Sequence, residues 1–175
     1  MERNAETLQN IIDICAQTPD ILDAMLAPIS DEQFDWCPNE DEWSIRQTVL
    51  HLYDIDNLAF AGRVIHIMAN DGGSLAGITP EERDRDRAPE GVSKDDLLVL
   101  FRQRRLANCE AARTHDPAAL EATASYKDMG AFTAWDFVLE WAYHDHSHLN
   151  QIGDIIKAQI VPAFSATMAK ALGEA

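Results

Sequence analysis

Trp141-Ala142-Tyr143-His144-Asp145-His146-Ser147-His148-Leu149 joins aromatic and aliphatic side chains to three histidines and a carboxylate in one short run. An α-helix turns by about 100° per residue, so His144 and His148, four apart, stack on one face in a cation-chelating geometry. Winding residues 134–157 in the same way puts Asp136, Glu140, Tyr143, Ser147, Asn150, Asp154 and Lys157 on one polar strip. Phe137, Val138, Trp141, Leu149, Ile152 and Ile155 gather on the opposite side, and His144 and His148 fall at the edge of that buried sector. A long helix with one apolar face needs other helices to cover it.

The rest of the chain supplies them, because the apolar residues keep a helical period nearly throughout and no repeat or linker divides the sequence. A first helix is predicted from Glu2 to Ala27, with Leu8, Ile11, Ile12 and Cys15 on its stripe, a kink or restart at Thr18-Pro19, and Pro28 closing it. Ile29 to Trp43 reads as a structured connection. Ser44 is placed as the N-cap of a second helix reaching Asn70, which Gly72-Gly73 ends. Ser93, with Asp96 three residues on, starts a third helix to Thr114. Asp116 to Phe132 reads as an irregular or partly helical link, Thr133 caps the histidine helix to Ala158, and a short helix from Pro162 to Leu172 closes the chain. The expected fold is all-α: a four-helix bundle with a short extra C-terminal helix, residues 1–175 forming a single domain.

Composition narrows the function. The 175 residues carry 30 acidic and 14 basic side chains, a formal charge of -16, which opposes phosphate binding and argues against nucleic-acid partners. No apolar run approaches a membrane span of about 18 residues, and the N-terminus has no secretory pattern, so a cytoplasmic protein without membrane contact is expected. Cys15, Cys37 and Cys109 are odd in number and scattered, and they read as reduced thiols. The alternating run Glu81 to Arg87, between two prolines, reads as a solvated loop.

Two inward imidazoles side by side need several hydrogen-bond partners or one shared cation. His51, among Thr48, Ile55 and Leu58 on the second helix, is also inward and is the natural third ligand. Asp145 winds between Val138, Trp141 and Ile152, where an unpaired carboxylate would cost several kcal/mol. It is expected to orient a ligand histidine, bind the metal or act as a general base, and it stands as the candidate catalytic residue. A buried ion pair with an arginine such as Arg46 or Arg63 is the other reading. Gln151 lies in line with the histidine pair, while Asp54 falls nearer the polar face. His66, His115 and His146 read as lying outside the site. Polar core histidines in an interaction protein remain the alternative to a metal centre.

Trp43-Ser44-Ile45-Arg46 leading to His51, then Gly130-Ala131-Phe132-Thr133 leading to His144-Asp145-x-x-His148-Leu149-x-Gln151-Ile152, resembles the DinB-like family of metal-dependent enzymes. The resemblance spans the chain from the Trp36 region to Ile156. It implies the family's four-helix bundle and a divalent metal held by His51, His144 and His148, with zinc ahead of nickel, iron and manganese. It further implies activation of a low-molecular-weight thiol or of water, for S-transfer, isomerisation or hydrolysis of a small-molecule substrate. A non-catalytic, metal-stabilised bundle acting as a binding or stress-response module is the alternative. A homodimer is expected from the family's habit of pairing and from Tyr53, Phe60 and Trp135 as candidates for exposed apolar surface.

Overall fold

The computed structural model describes residues 1–173. Helix α1 (Ala5–Leu26) begins at an Asn4 cap whose side chain accepts from the Thr7 N–H, three residues later than the sequence suggests. It runs through Pro19 as one element. Proline removes the helical donor to the carbonyl four residues back, that of Cys15, and would leave it orphaned in the core. Nη1 of Arg105 donates to that carbonyl at 3.1 Å, so the helix needs no restart.

A short α2 (Asp31–Asp35) sits in the connection to α3 (Ile45–Ile55), where Ser44 and Gln47 form a reciprocal capping box. The long second helix of the sequence reading is built from two α-helical parts. A π turn, Asp56–Ala61, separates α3 from α4 (Gly62–Ala69), and the Gly62 N–H bonds the Asn57 carbonyl five residues back. A Cβ on Gly62 would lie 2.5 Å from that carbonyl oxygen, which is why glycine stands there.

The charged run expected as a loop instead forms α5 (Pro80–Asp86). Thr79 and Glu82 make a capping box around Pro80, with Glu81 and Glu82 in the first turn and Arg83 and Arg85 in the last. After α6 (Lys94–Ala112, capped by Ser93), the link expected to be irregular or partly helical makes 3₁₀ turns and two strands of a three-stranded sheet. In it β1 (Gly73–Ser74) pairs parallel with β2 (Thr123–Ser125), which pairs antiparallel with β3 (Ala131–Thr133). Thr133 then caps α7 (Ala134–Ile160), and α8 (Ala166–Leu172) follows as the short C-terminal helix.

Helix α1 packs on α6 and α7, and α3 packs on the same two, so the long elements make a four-helix bundle with a small sheet at one side. The core is divided. One apolar cluster holds Leu8, Ile12, Phe60, Trp135 and Trp141, and the other Leu22, Phe34, Val49, Leu52, Phe101 and Ile152. Thr18, Asp56, Arg105 and Asp145, all fully buried, each lie on their own helix between residues of the two clusters. Tyr53, Phe60 and Trp135, expected to leave apolar surface exposed, are buried as well, at 7%, 2% and 0% exposure, so they offer nothing to a second copy. No helix among the described residues is long and apolar enough to cross a membrane.

Candidate metal centre

Helix α3 presents His51 beside Thr48 and Leu52, two fully buried neighbours, and α7 presents His144 and His148 one turn apart. The three rings close on one another. Nε2 of His144 lies 3.2 Å from Nε2 of His51 and 3.1 Å from Nε2 of His148. These are the only histidine, cysteine or carboxylate groups among the described residues whose donor atoms cluster tightly enough to hold a metal ion.

Neutral imidazole carries one N–H and one lone pair, so three Nε2 atoms facing each other cannot all be satisfied by mutual hydrogen bonds. A cation shared by three lone pairs satisfies them together. Zinc–nitrogen bonds of about 2.0–2.1 Å in a tetrahedron set neighbouring ligand nitrogens about 3.3 Å apart, close to both short separations. The donor set therefore fits a small divalent ion.

Electrostatics keep the imidazoles in the ligating form. Burial, then the neighbouring His148 and Arg83, pushes His51 down to about 4. Burial, then His148, His51 and Arg105, pushes His144 down to about 3. Both are neutral near pH 7, as metal ligation requires. On the far side of His148, Nδ1 sits 2.7 Å from Oε1 of Gln151. An amide oxygen only accepts, so Nδ1 carries the proton and Nε2 presents its lone pair inward. Nδ1 of His144 is buried without a hydrogen-bond partner.

Aromatic rings wall the cluster. Phe60 lies 5.2 Å from the His144 ring, while Trp43 is stacked 5.9 Å from His148 and lies 5.0 Å from His51. Trp43 also lines two clefts. One, of about 900 Å³, reaches His51 between Arg46, Asp54 and Arg87. The other, of about 570 Å³, reaches His148 between Pro38, Glu42, Gln151 and Asp154. Each is of small-molecule size, and each opens on a different histidine.

Asp145 does not serve the histidines directly. Its carboxylate accepts from Nη1 and Nη2 of Arg105 and from the Thr18 hydroxyl at 2.6 Å, and it has no hydrogen bond to an imidazole. The ion-pair reading thus describes its surroundings, with Arg105 as the partner. Arg46 instead bonds Asp35 and the Val92 carbonyl, and Arg63 lies over Tyr126 and Phe137. Asp54 lines the larger cleft and accepts from the Ala88 N–H. His146 turns back to the Ala142 carbonyl, and His66 faces Ser74, both away from the centre. Sequence reasoning missed Arg105 and Asp56, although Leu97-x₃-Phe101-x₃-Arg105-x₃-Cys109 and Leu52-x₃-Asp56-x₃-Phe60 put each on a buried stripe. It also passed over Trp43 as a wall of the site.

The sequence model of the DinB superfamily matches residues 15–152. Among solved structures, the chain resembles one described as "YfiT from Bacillus subtilis is a probable metal-dependent hydrolase with an unusual four-helix bundle topology". The TM-score is 0.71 at 17% identity, over 88% of each chain, which is a likeness of fold. No functionally curated protein matches the chain in sequence.

Proposed function

The chain belongs to the DinB superfamily, and from that premise we propose a metal-dependent enzyme in which His51, His144 and His148 hold one divalent cation. The convergence of the three Nε2 atoms carries this reading. Three protein ligands leave a coordination position open, the mark of a catalytic centre as against a structural one. When bound, the cation lowers the pKa of a water or thiol and supplies a nucleophile near neutral pH.

The chain's own residues do the rest. Neutral His51 and His144 present bare nitrogens, and Gln151 holds the His148 ring by its other nitrogen. Trp43 and Phe60 pack against the imidazoles. The two clefts beside Trp43 admit a small-molecule substrate on one side and a low-molecular-weight thiol on the other. Water in place of the thiol gives hydrolysis, the reaction class of the "probable metal-dependent hydrolase" from Bacillus subtilis. Zinc suits an all-nitrogen set, and nickel, iron and manganese are the other ions to test.

The test is metal content by mass spectrometry of protein made without a polyhistidine tag, beside His51→Ala and His144→Ala variants. About one equivalent in the wild type, lost in both variants, is the expected result. Protein that cannot be loaded with zinc, nickel, iron or manganese would overturn the proposal. With metal in place, saturable metal-dependent thiol binding marks a transferase, and thiol-free turnover of activated esters marks a hydrolase.

A further inference from the structure

All four bundle helices meet at the guanidinium of Arg105. Nε donates to Asp56 Oδ1 at 2.7 Å, on the π turn that continues the His51 helix. Nη1 and Nη2 hold Asp145 on α7, and Nη1 also reaches the Cys15 carbonyl on α1. Trp141 Nε1 ties α7 directly to Asp56 Oδ1 at 3.0 Å, and Asn108 of α6 takes Oδ2 at 2.7 Å. Phe101 and Trp141 lie against the guanidinium at 4.8 and 5.0 Å.

Stability is a poor account of this arrangement. Two carboxylates and one guanidinium are stripped of water, and apolar packing of the same volume is often no less stable. What the fork adds is register. Asp145 adjoins His144 in sequence, and Asp56 lies five residues beyond His51. Each carboxylate therefore fixes the helix of a ligand histidine, and Arg105 joins the two. Apolar side chains tolerate sliding of one helix on another, but a directional fork does not. Metal sites tolerate only about ±0.2 Å in ligand distance, so sliding of that order matters.

We propose that Arg105 is a positioning residue for the three-histidine centre, acting through Asp56 and Asp145 to hold α3 and α7 at the spacing that lets His51, His144 and His148 share one ion. This rests on the metal reading above, and it recasts Asp145 from proton carrier to half of the clamp.

The experiment measures zinc affinity by chelator competition and the visible absorption of the cobalt-loaded protein, in wild type, Arg105→Lys and Leu26→Ala. Lysine keeps the charge and loses the fork. Leu26→Ala removes buried volume at the last residue of α1, eight residues beyond Thr18. Arg105→Lys is expected to weaken zinc binding by about tenfold or more, the range typical of residues that orient ligands, and to change the cobalt spectrum. Leu26→Ala should lower the melting temperature with zinc affinity within about twofold of wild type. If Arg105→Lys does not fold, Thr18→Val and Thr18→Ser take its place. The valine should weaken zinc binding and the serine, which keeps the hydroxyl to Asp145, should restore it. A wild type that takes no zinc overturns the metal reading and this inference together. A wild type that binds zinc, with Arg105→Lys or Thr18→Val binding as well and showing the same cobalt spectrum, overturns the inference alone.

Discussion

Gln151 Oε1 accepts the Nδ1 proton of His148 across 2.7 Å, so a side chain one turn along the same helix decides which nitrogen of that ring faces the other two histidines. Gln151→Leu frees the ring to take either tautomer and to rotate. Zinc affinity should fall about tenfold, and Gln151→Glu, which keeps an acceptor at the same reach, should recover most of it. Chelator competition on the two variants decides the matter, and equal affinities for Leu and Gln would sink it.

Acid should destabilise the metal-free protein through the same rings. His51 and His144 are depressed to about 4 and about 3, against an ordinary value of 6.5 in the unfolded chain. Between these limits the unfolded state binds more protons, so stability is full above about 6.5 and falls as the pH drops toward 4 and then 3. Asp56, raised by burial, gives a slope of opposite sign in the acid range. Urea unfolding of metal-free wild type and of a His51→Gln, His144→Gln double variant, each at pH 7 and pH 5, isolates the imidazole contribution. The wild type should lose more stability between the two pH values than the variant does.

Asp145→Asn leaves Arg105 with one charged partner where it had two. Arg105 keeps Asp56 as counter-charge, so the loss is that of charge-assisted hydrogen bonds, about 1.5–3 kcal/mol, and it should appear in metal-free protein as fully as in loaded protein. Calorimetry with and without zinc measures both. A variant as stable as wild type would remove Asp145 from the clamp.

Two glycines should respond in opposite directions. Gly62→Ala drives a Cβ to within 2.5 Å of the Asn57 carbonyl and should cost about 1–3 kcal/mol. Gly153→Ala, in the middle of α7 with nothing within 4 Å of the new methyl, should stabilise by about 0.5–1 kcal/mol. Urea denaturation reads both, and a neutral Gly62→Ala would mean that the π turn relaxes freely.

The bundle and the histidine trio are legible in the sequence because both rest on local periodicity. Four-residue spacing puts His144 and His148 together, and the apolar stripes around them mark what is buried. The partner of Asp145 is another matter. Asp145 and Arg105 are 40 residues apart, and nothing local distinguishes Arg105 from Arg46 or Arg63 except its place on the Phe101 and Cys109 stripe. Pro19 misleads for the same reason: a proline predicts a break unless a distant donor reaches the carbonyl it strands. The strands at 123–125 and 131–133 are too short for alternation to register, and their pairing is settled by the turn at Gly130, with φ of 102°.

The π turn at Asp56–Ala61 works as a phase joint. Its hydrogen bonds close one residue further on than those of an α-helix, so the turn takes up one residue while the buried stripe runs on from Leu52 and Asp56 to Phe60 and Val64. The half that aims His51 and the half that carries Val64 and Ile67 thus share one buried face. Removing one residue from the joint would restore a regular helix and leave its two halves in phase, because the π turn takes up one residue more than an α turn. Deleting Ala61 should therefore cost less than deleting a residue from the middle of α7, where every side chain beyond the gap turns by about 100°.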